Sequence, residues 1–118
     1  MLNALHLEMI RLYRGDARRI QHFCKVHSYS KLIAEQEHVD TDTLFTLEAA
    51  ALTHDIGIHY CEEHFGDCNG KLQEQYGPAI AKELLEKLHF SEEVSERVQY
   101  LIAHHHTYDN IDEYARCL

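Results

Sequence analysis

Apolar residues recur along most of this chain in three- and four-residue steps, the spacing of one face of an α-helix. Leu2, Leu5, Met9 and Leu12 predict a first helix over 2–14. Gly15 stops it, and Asp16 is placed to cap the next. Ile20, Phe23, Val26, Leu32 and Ile33 predict a second helix over about 17–37. After the cap candidates Asp40, Thr41 and Asp42, Leu44, Leu47, Ala50, Ala51 and His54 mark a third over 43–57, with Gly57 as its end.

The pattern then breaks. Residues 58–77, "IHYCEEHFGDCNGKLQEQYG", carry Gly66, Asn69, Gly70 and Gly77 and read as a long loop of the kind that serves function. Pro78 suits the first turn of a fourth helix bearing Ile80, Leu84, Leu85 and Leu88. Ser91 caps a fifth, with Val94, Val98, Leu101 and Ile102 inward, running into "HHHTYDNID". No strand-like alternation and no internal repeat interrupts this. The expected class is all-α, one domain over 1–118, a compact bundle of about five helices.

Composition narrows the picture. A chain of 118 residues with 45% hydrophobic content can build one core. One proline and five glycines leave no room for a long linker. The formal charge of −9 and the lack of a Lys/Arg cluster argue against a polymeric nucleic-acid partner. A small anionic substrate stays open, because a metal and a few cations reverse the field inside a single pocket. The opening "MLNALHLEMIRLYRG" is broken by His6, Glu8 and Arg11 and is too polar for a signal peptide or a membrane span. Cys24, Cys61, Cys68 and Cys117 form no CxxC, so reduced thiols and a cytoplasmic location are expected. The eleven histidines favour a metal site without locating it.

The chemistry concentrates in "AAALTHDIGIHY", residues 49–60, where His54 and Asp55 stand side by side in an apolar run. Neighbours on a helix point about 100° apart. An imidazole nitrogen and a carboxylate oxygen can still converge on one ion beside it, and that pair suits Mn, Fe, Co, Ni or Zn. The plainer alternative is a helix end, with His54 near the negative pole and Asp55 a surface charge.

The wider context adds a combination: Arg19-x-x-His22-x-x-x-Val26, then an Ala- and Leu-rich segment ending His54-Asp55-Ile56-Gly57, then "NGKLQEQYGPAIAKELL" and "LIAHHHTY". It resembles the HD superfamily of metal-dependent phosphohydrolases over roughly residues 16–112. The resemblance implies His22, His54 and Asp55 as ligands of a divalent ion (Mn, Fe, Co, Ni, Zn or Mg), with Asp55 also catalytic. His27 lies about 140° round the helix from His22 and cannot share the ion. His22 matches because it stands four before the valine.

The end of the chain departs from the family. The fourth ligand there is an aspartate on a later helix, and no Ala-Asp occurs here. The expectation is a bundle shortened at its C-terminus. The fourth position is then filled by Asp109, Asp112, the His104–His106 cluster, the terminal carboxylate, water or a neighbouring chain. The HD-GYP branch with two metals carries His-His-Glu where Thr107 follows two histidines here, and Gln73 or Glu74 replaces a further histidine. A solvated helix end is the alternative for that cluster. Cys61, His64 and Cys68 have no recognised ligand spacing, and Lys71 is a weak candidate phosphate contact.

The implied activity is metal-assisted hydrolysis of a nucleotide or other small phosphoester. His22 and His54 would fix the ion, and Asp55 would bind it and orient or deprotonate a water. Arg19, His104 and His105 would take the phosphate. The rival is a catalytically impaired module of the same fold that binds metal or nucleotide without turnover. No membrane partner is expected, and the sequence leaves a homodimer open.

Overall fold

The computed structural model describes residues 1–66 and 70–104. Among them are six helices and no strand: α1 Leu2–Leu12, α2 Ala17–Gln36, α3 Thr41–Thr53, α4 Ile58–Phe65, α5 Gly70–Lys87 and α6 Glu92–Ala103. The all-α expectation holds. The long loop at 58–77 does not, because it contains α4 and the first turns of α5.

Local chemistry sets the boundaries. Gly15 adopts φ +90°, a conformation that suits glycine, and turns the chain between α1 and α2. The Asp16 carboxylate then accepts from the Arg19 amide at 3.2 Å and caps α2. Asp40 caps α3 through the Thr43 amide at 2.7 Å, and Ser91 caps α6 through Val94 at 3.2 Å. Beyond the ends of α2 and α5, His38 and His89 take left-handed backbone angles of +57° and +64°. Two of the histidines therefore serve chain reversal.

Helix α3 is the central element. From Glu48 to Thr53 every residue is buried. It contacts α1, α2 and α6, while α5 packs on α6 and α4 on α5. The core gathers Leu5, Met9, Tyr13, Phe23, Leu52, Leu85, Phe90, Val98 and Ile102. The inward face of α1 is rotated from the expected one. Leu12 is exposed and Tyr13 is buried in its place. On α2, Leu32 is likewise exposed, and Ala34 faces inward.

Helix α3 stops at Thr53, four residues before Gly57, and 54–57 form a turn leading into α4. Glycines let α5 approach that turn. A Cβ on Gly57 would lie 3.2 Å from the Gly77 Cα, and one on Gly77 would lie 2.9 Å from the Ile102 side chain. This is why "LQEQYG" is helix rather than loop: Gln73 and Gly77 are buried against the turn. Pro78 consequently sits inside α5, not in its first turn.

Candidate metal centre

The turn after α3 and the middle of α2 bring three ligand-type side chains together. One nitrogen of His22, one of His54 and one oxygen of Asp55 all lie within 4.8 Å of one another. His22 Nε2 is 3.2 Å from Asp55 Oδ2, and His54 Nε2 is 3.1 Å from the same oxygen. The two rings stand 5.4 Å apart between centroids. His54 is buried and Asp55 nearly so, while His22 is 45% exposed and opens the site to solvent.

The tautomer of His54 gives the arrangement its meaning. Its Nδ1 lies 2.7 Å from the Ala51 carbonyl oxygen. A carbonyl only accepts, so the ring hydrogen belongs on Nδ1. Nε2 of the neutral ring then carries no hydrogen, and it faces an ionised carboxylate oxygen that carries none either. Two lone pairs in contact repel unless a proton or a cation lies with them. In the metal-free chain a proton can do this. Burial pulls the His54 pKa down, but the hydrogen bond and charge of Asp55 outweigh it and hold the imidazole above its usual value.

A divalent ion resolves the same conflict without charging a buried ring. Ligand atoms that share one divalent ion at about 2.1 Å stand roughly 3.0 to 3.4 Å apart. The separations of 3.1 and 3.2 Å match neighbouring ligands of that kind. The Nδ1 bond to Ala51 is the outer support that fixes a metal-binding imidazole. The donor set therefore fits a divalent metal.

The surroundings brace the turn. The Tyr13 hydroxyl donates to the Asp55 backbone carbonyl, which also accepts from the Ile58 amide at 3.1 Å. Tyr13 is 1% exposed, and burial, then the Asp55 charge, push its hydroxyl well above the ordinary tyrosine range. Arg19 is one turn before His22, its guanidinium 3.9 Å from Glu62. Both side chains are partly exposed, so this pairing is weak and leaves the guanidinium available. The Asp16 carboxylate lies 3.0 Å from His59 Nε2 and is held below the usual carboxylate range, chiefly by that contact.

The other sequence candidates lie elsewhere. His27 pairs with Glu48 at 2.9 Å. His104 ends α6 with its ring 4.3 Å from Tyr100, outside the His22–His54–Asp55 cluster. Cys61 is fully buried, whereas His64 is exposed beside Tyr60. Lys71 is exposed. His105, His106, Asp109, Asp112, Cys68 and Cys117 lie outside the described residues. Tyr13, His59 and Glu62 were absent from the sequence candidates. A visible signal existed for the last two, because His59 and Glu62 follow Asp55 by four and seven.

Comparison with curated proteins and with solved structures returns no significant match. The family model of the HD domain matches residues 19–118, a span that contains all three converging side chains. This chain belongs to the HD-domain superfamily of metal-dependent phosphohydrolases.

Proposed function

We propose that the chain hydrolyses a small phosphoester, a nucleotide above all, with a divalent ion held by His22, His54 and Asp55. The observation that carries this reading is the convergence of His22, His54 and Asp55, with the ring hydrogen of His54 committed to Ala51 and its Nε2 facing Asp55 Oδ2, a contact that a divalent ion satisfies. When bound, the ion supplies Lewis acidity towards a phosphoryl oxygen and a water acidic enough to react near neutral pH.

The protein's own groups divide the remaining work. Ala51 holds His54 in the ligand tautomer. Tyr13 and the Ile58 amide hold the backbone of Asp55. Asp55, beside binding the ion, would orient the attacking water. Arg19 offers a planar pair of N–H donors to the phosphate oxygens from the turn before His22. Exposure of His22 would leave an approach for the substrate, and the burial of His54 and Asp55 would exclude water from their side of the site. His104, at the end of α6, remains a proposed contact for the phosphate, as does His105, which lies outside the described residues.

The test is elemental analysis followed by turnover. Purified chain is loaded in turn with Mn, Fe, Co, Ni, Zn and Mg and offered nucleoside monophosphates, a cyclic nucleotide and p-nitrophenyl phosphate. Wild type is expected to bind one ion per triad and release phosphate, and Asp55→Ala to do neither. Stoichiometric metal without turnover on any substrate assigns the chain to the non-hydrolytic binding reading instead.

A further inference from the structure

The His22–Asp55 contact is one of several between the same two stretches of chain. Asp16, Arg19 and His22 follow at three-residue steps along α2. Asp55, His59 and Glu62 follow at four- and three-residue steps along the turn and α4. The two rows meet in three cross-pairs: His22 to Asp55 at 3.2 Å, Arg19 to Glu62 at 3.9 Å and Asp16 to His59 at 3.0 Å. The last is a second histidine–carboxylate pair beside the triad, and neither the ligand set nor the phosphate contacts use it.

Its placement is specific. The His59 ring packs against Tyr13 at 4.2 Å between centroids, and the hydroxyl of that tyrosine bonds the Asp55 carbonyl. One aromatic side chain thus spans from the metal turn to His59. Asp16 is itself fixed, since its other oxygen caps α2 through Arg19. The His59 ring is about one-third exposed. The carboxylate claims Nε2–H, and no described residue is bonded to Nδ1. A carboxylate behind one nitrogen steadies an imidazolium whose other N–H can be given away, the usual design of a general acid. The groups against the ring are Tyr13 from the end of α1 and Asp16 at the head of α2, and Arg19 and Glu62 form the further cross-pair between the same two stretches.

We propose that His59, oriented by Asp16, is the catalytic acid that protonates the leaving oxygen of the phosphoester. This rests on the phosphohydrolase reading above. In the step, the oxygen of water forms a new bond to phosphorus as the bond from phosphorus to the ester oxygen breaks. The Nδ1 proton of the His59 imidazolium passes to that departing oxygen, giving a neutral alcohol. The attacking water gives up one proton to solvent, and His59 regains one from solvent. Asp16 is a positioning residue and stays ionised throughout.

The competing account is that Asp16–His59 only docks α4 on α2. Leaving-group dependence separates the two, because an alkyl alcohol needs a proton to depart and p-nitrophenolate does not. His59→Gln should cut kcat on an alkyl phosphomonoester by about 10²- to 10⁴-fold, and by far less on p-nitrophenyl phosphate. Metal content should stay equal to wild type. Asp16→Ser keeps an oxygen at the helix cap and should show the same selectivity in weaker form, guarding against a folding artefact. As a readout independent of turnover, ring ¹⁵N NMR of wild type should show His59 protonated on Nε2 when neutral, and Asp16→Ser should abolish that preference. Equal losses on both substrates, no loss on either, or a His59 tautomer indifferent to Asp16 would overturn the proposal and leave the phosphohydrolase reading standing. A wild-type chain that binds metal and hydrolyses neither ester would sink both.

Discussion

Two histidine–carboxylate groupings tie α2 to the α3 region, and they are built from the same residue types to different ends. His27 meets Glu48 at 2.9 Å, while five residues earlier on α2 His22 meets Asp55 at 3.2 Å. At Glu48 a single imidazole faces a carboxylate, and its Nε2 can carry the hydrogen and donate it. That contact is complete as an ordinary hydrogen bond. At Asp55 two Nε2 atoms converge on one oxygen, and the ring hydrogen of His54 is already committed to Ala51. That contact needs something positive added. The count of hydrogens, rather than the presence of histidine and carboxylate, distinguishes a packing pair from a ligand set.

The sharpest way to break this contrast is to remove one carboxylate at a time. Asp55→Ala should lower metal affinity by about 100-fold or more, since even outer supports of a ligand are worth 10- to 100-fold. Metal at about 100 times Kd should stabilise wild type by about 2.7 kcal/mol. Thermal melts with and without metal should show that gain for wild type and lose it for Asp55→Ala, with helical circular dichroism retained. Metal binding undiminished in Asp55→Ala would end the ligand assignment.

pH offers the next largest effect and separates the two states of the same site. In the metal-free chain the folded pKa of His54 lies above its unfolded value of about 6.5. A raised histidine pKa contributes stability that is full below the unfolded value and is lost as pH rises through the folded one. Metal-free protein should therefore lose stability from about pH 6.5 upward. Metal-loaded protein should gain over the same range, because the ion competes with that proton and its affinity rises as the ring deprotonates. Parallel melts across pH 6 to 8.5 should give slopes of opposite sign. Slopes of one sign would mean that the ion and the proton do not compete for Nε2.

His27→Ala probes the other grouping. It leaves Glu48, 8% exposed, without the imidazole that it faces. Loss of a partner to a buried polar group costs about 1–3 kcal/mol. Urea denaturation should register that loss, while metal content and affinity match wild type. A matching fall in metal affinity would mean that the two groupings are coupled through α2.

The sequence disclosed the triad better than its surroundings. His22, His54 and Asp55 were legible because they stand in a recognisable order with Val26 and Gly57; the helix angle kept His22 and His27 from sharing an ion, and the spacing to Val26 chose His22. The excess of histidine was a poorer guide. His38 and His89 serve left-handed backbone, and His64 and His104 lie against tyrosines. Residues 58–77 were misread because glycine signals a loop when taken alone. Gly66 does end a helix at φ +68°, but Gly77 is present so that α5 can approach Ile102 and the turn at Gly57. That reason is tertiary, and periodicity does not carry it. The same holds for Tyr13. The three- and four-residue spacing put Leu12 on the inward face and passed over Tyr13, yet Tyr13 is the residue that enters the core.

Tyr13→Phe gives the smallest expected effect and the finest view of how the turn is held. The Asp55 carbonyl accepts from both the Tyr13 hydroxyl and the Ile58 amide. Removing the hydroxyl therefore leaves that oxygen with one partner rather than none. The ring stays, so its packing against Phe23 and His59 is kept. A hydrogen bond of this kind contributes about 1 kcal/mol, and the melting temperature should fall accordingly. Metal affinity should fall by less than about 10-fold, below the loss for removing a direct support of a ligand side chain. The reason is that Tyr13 acts on the backbone of Asp55, while the ligand atoms stay aligned by Ala51 and by one another. A larger loss of metal than of stability would show that the turn has no rigidity of its own, and that the hydroxyl rather than the 54–57 backbone sets the angle at which Asp55 meets His54.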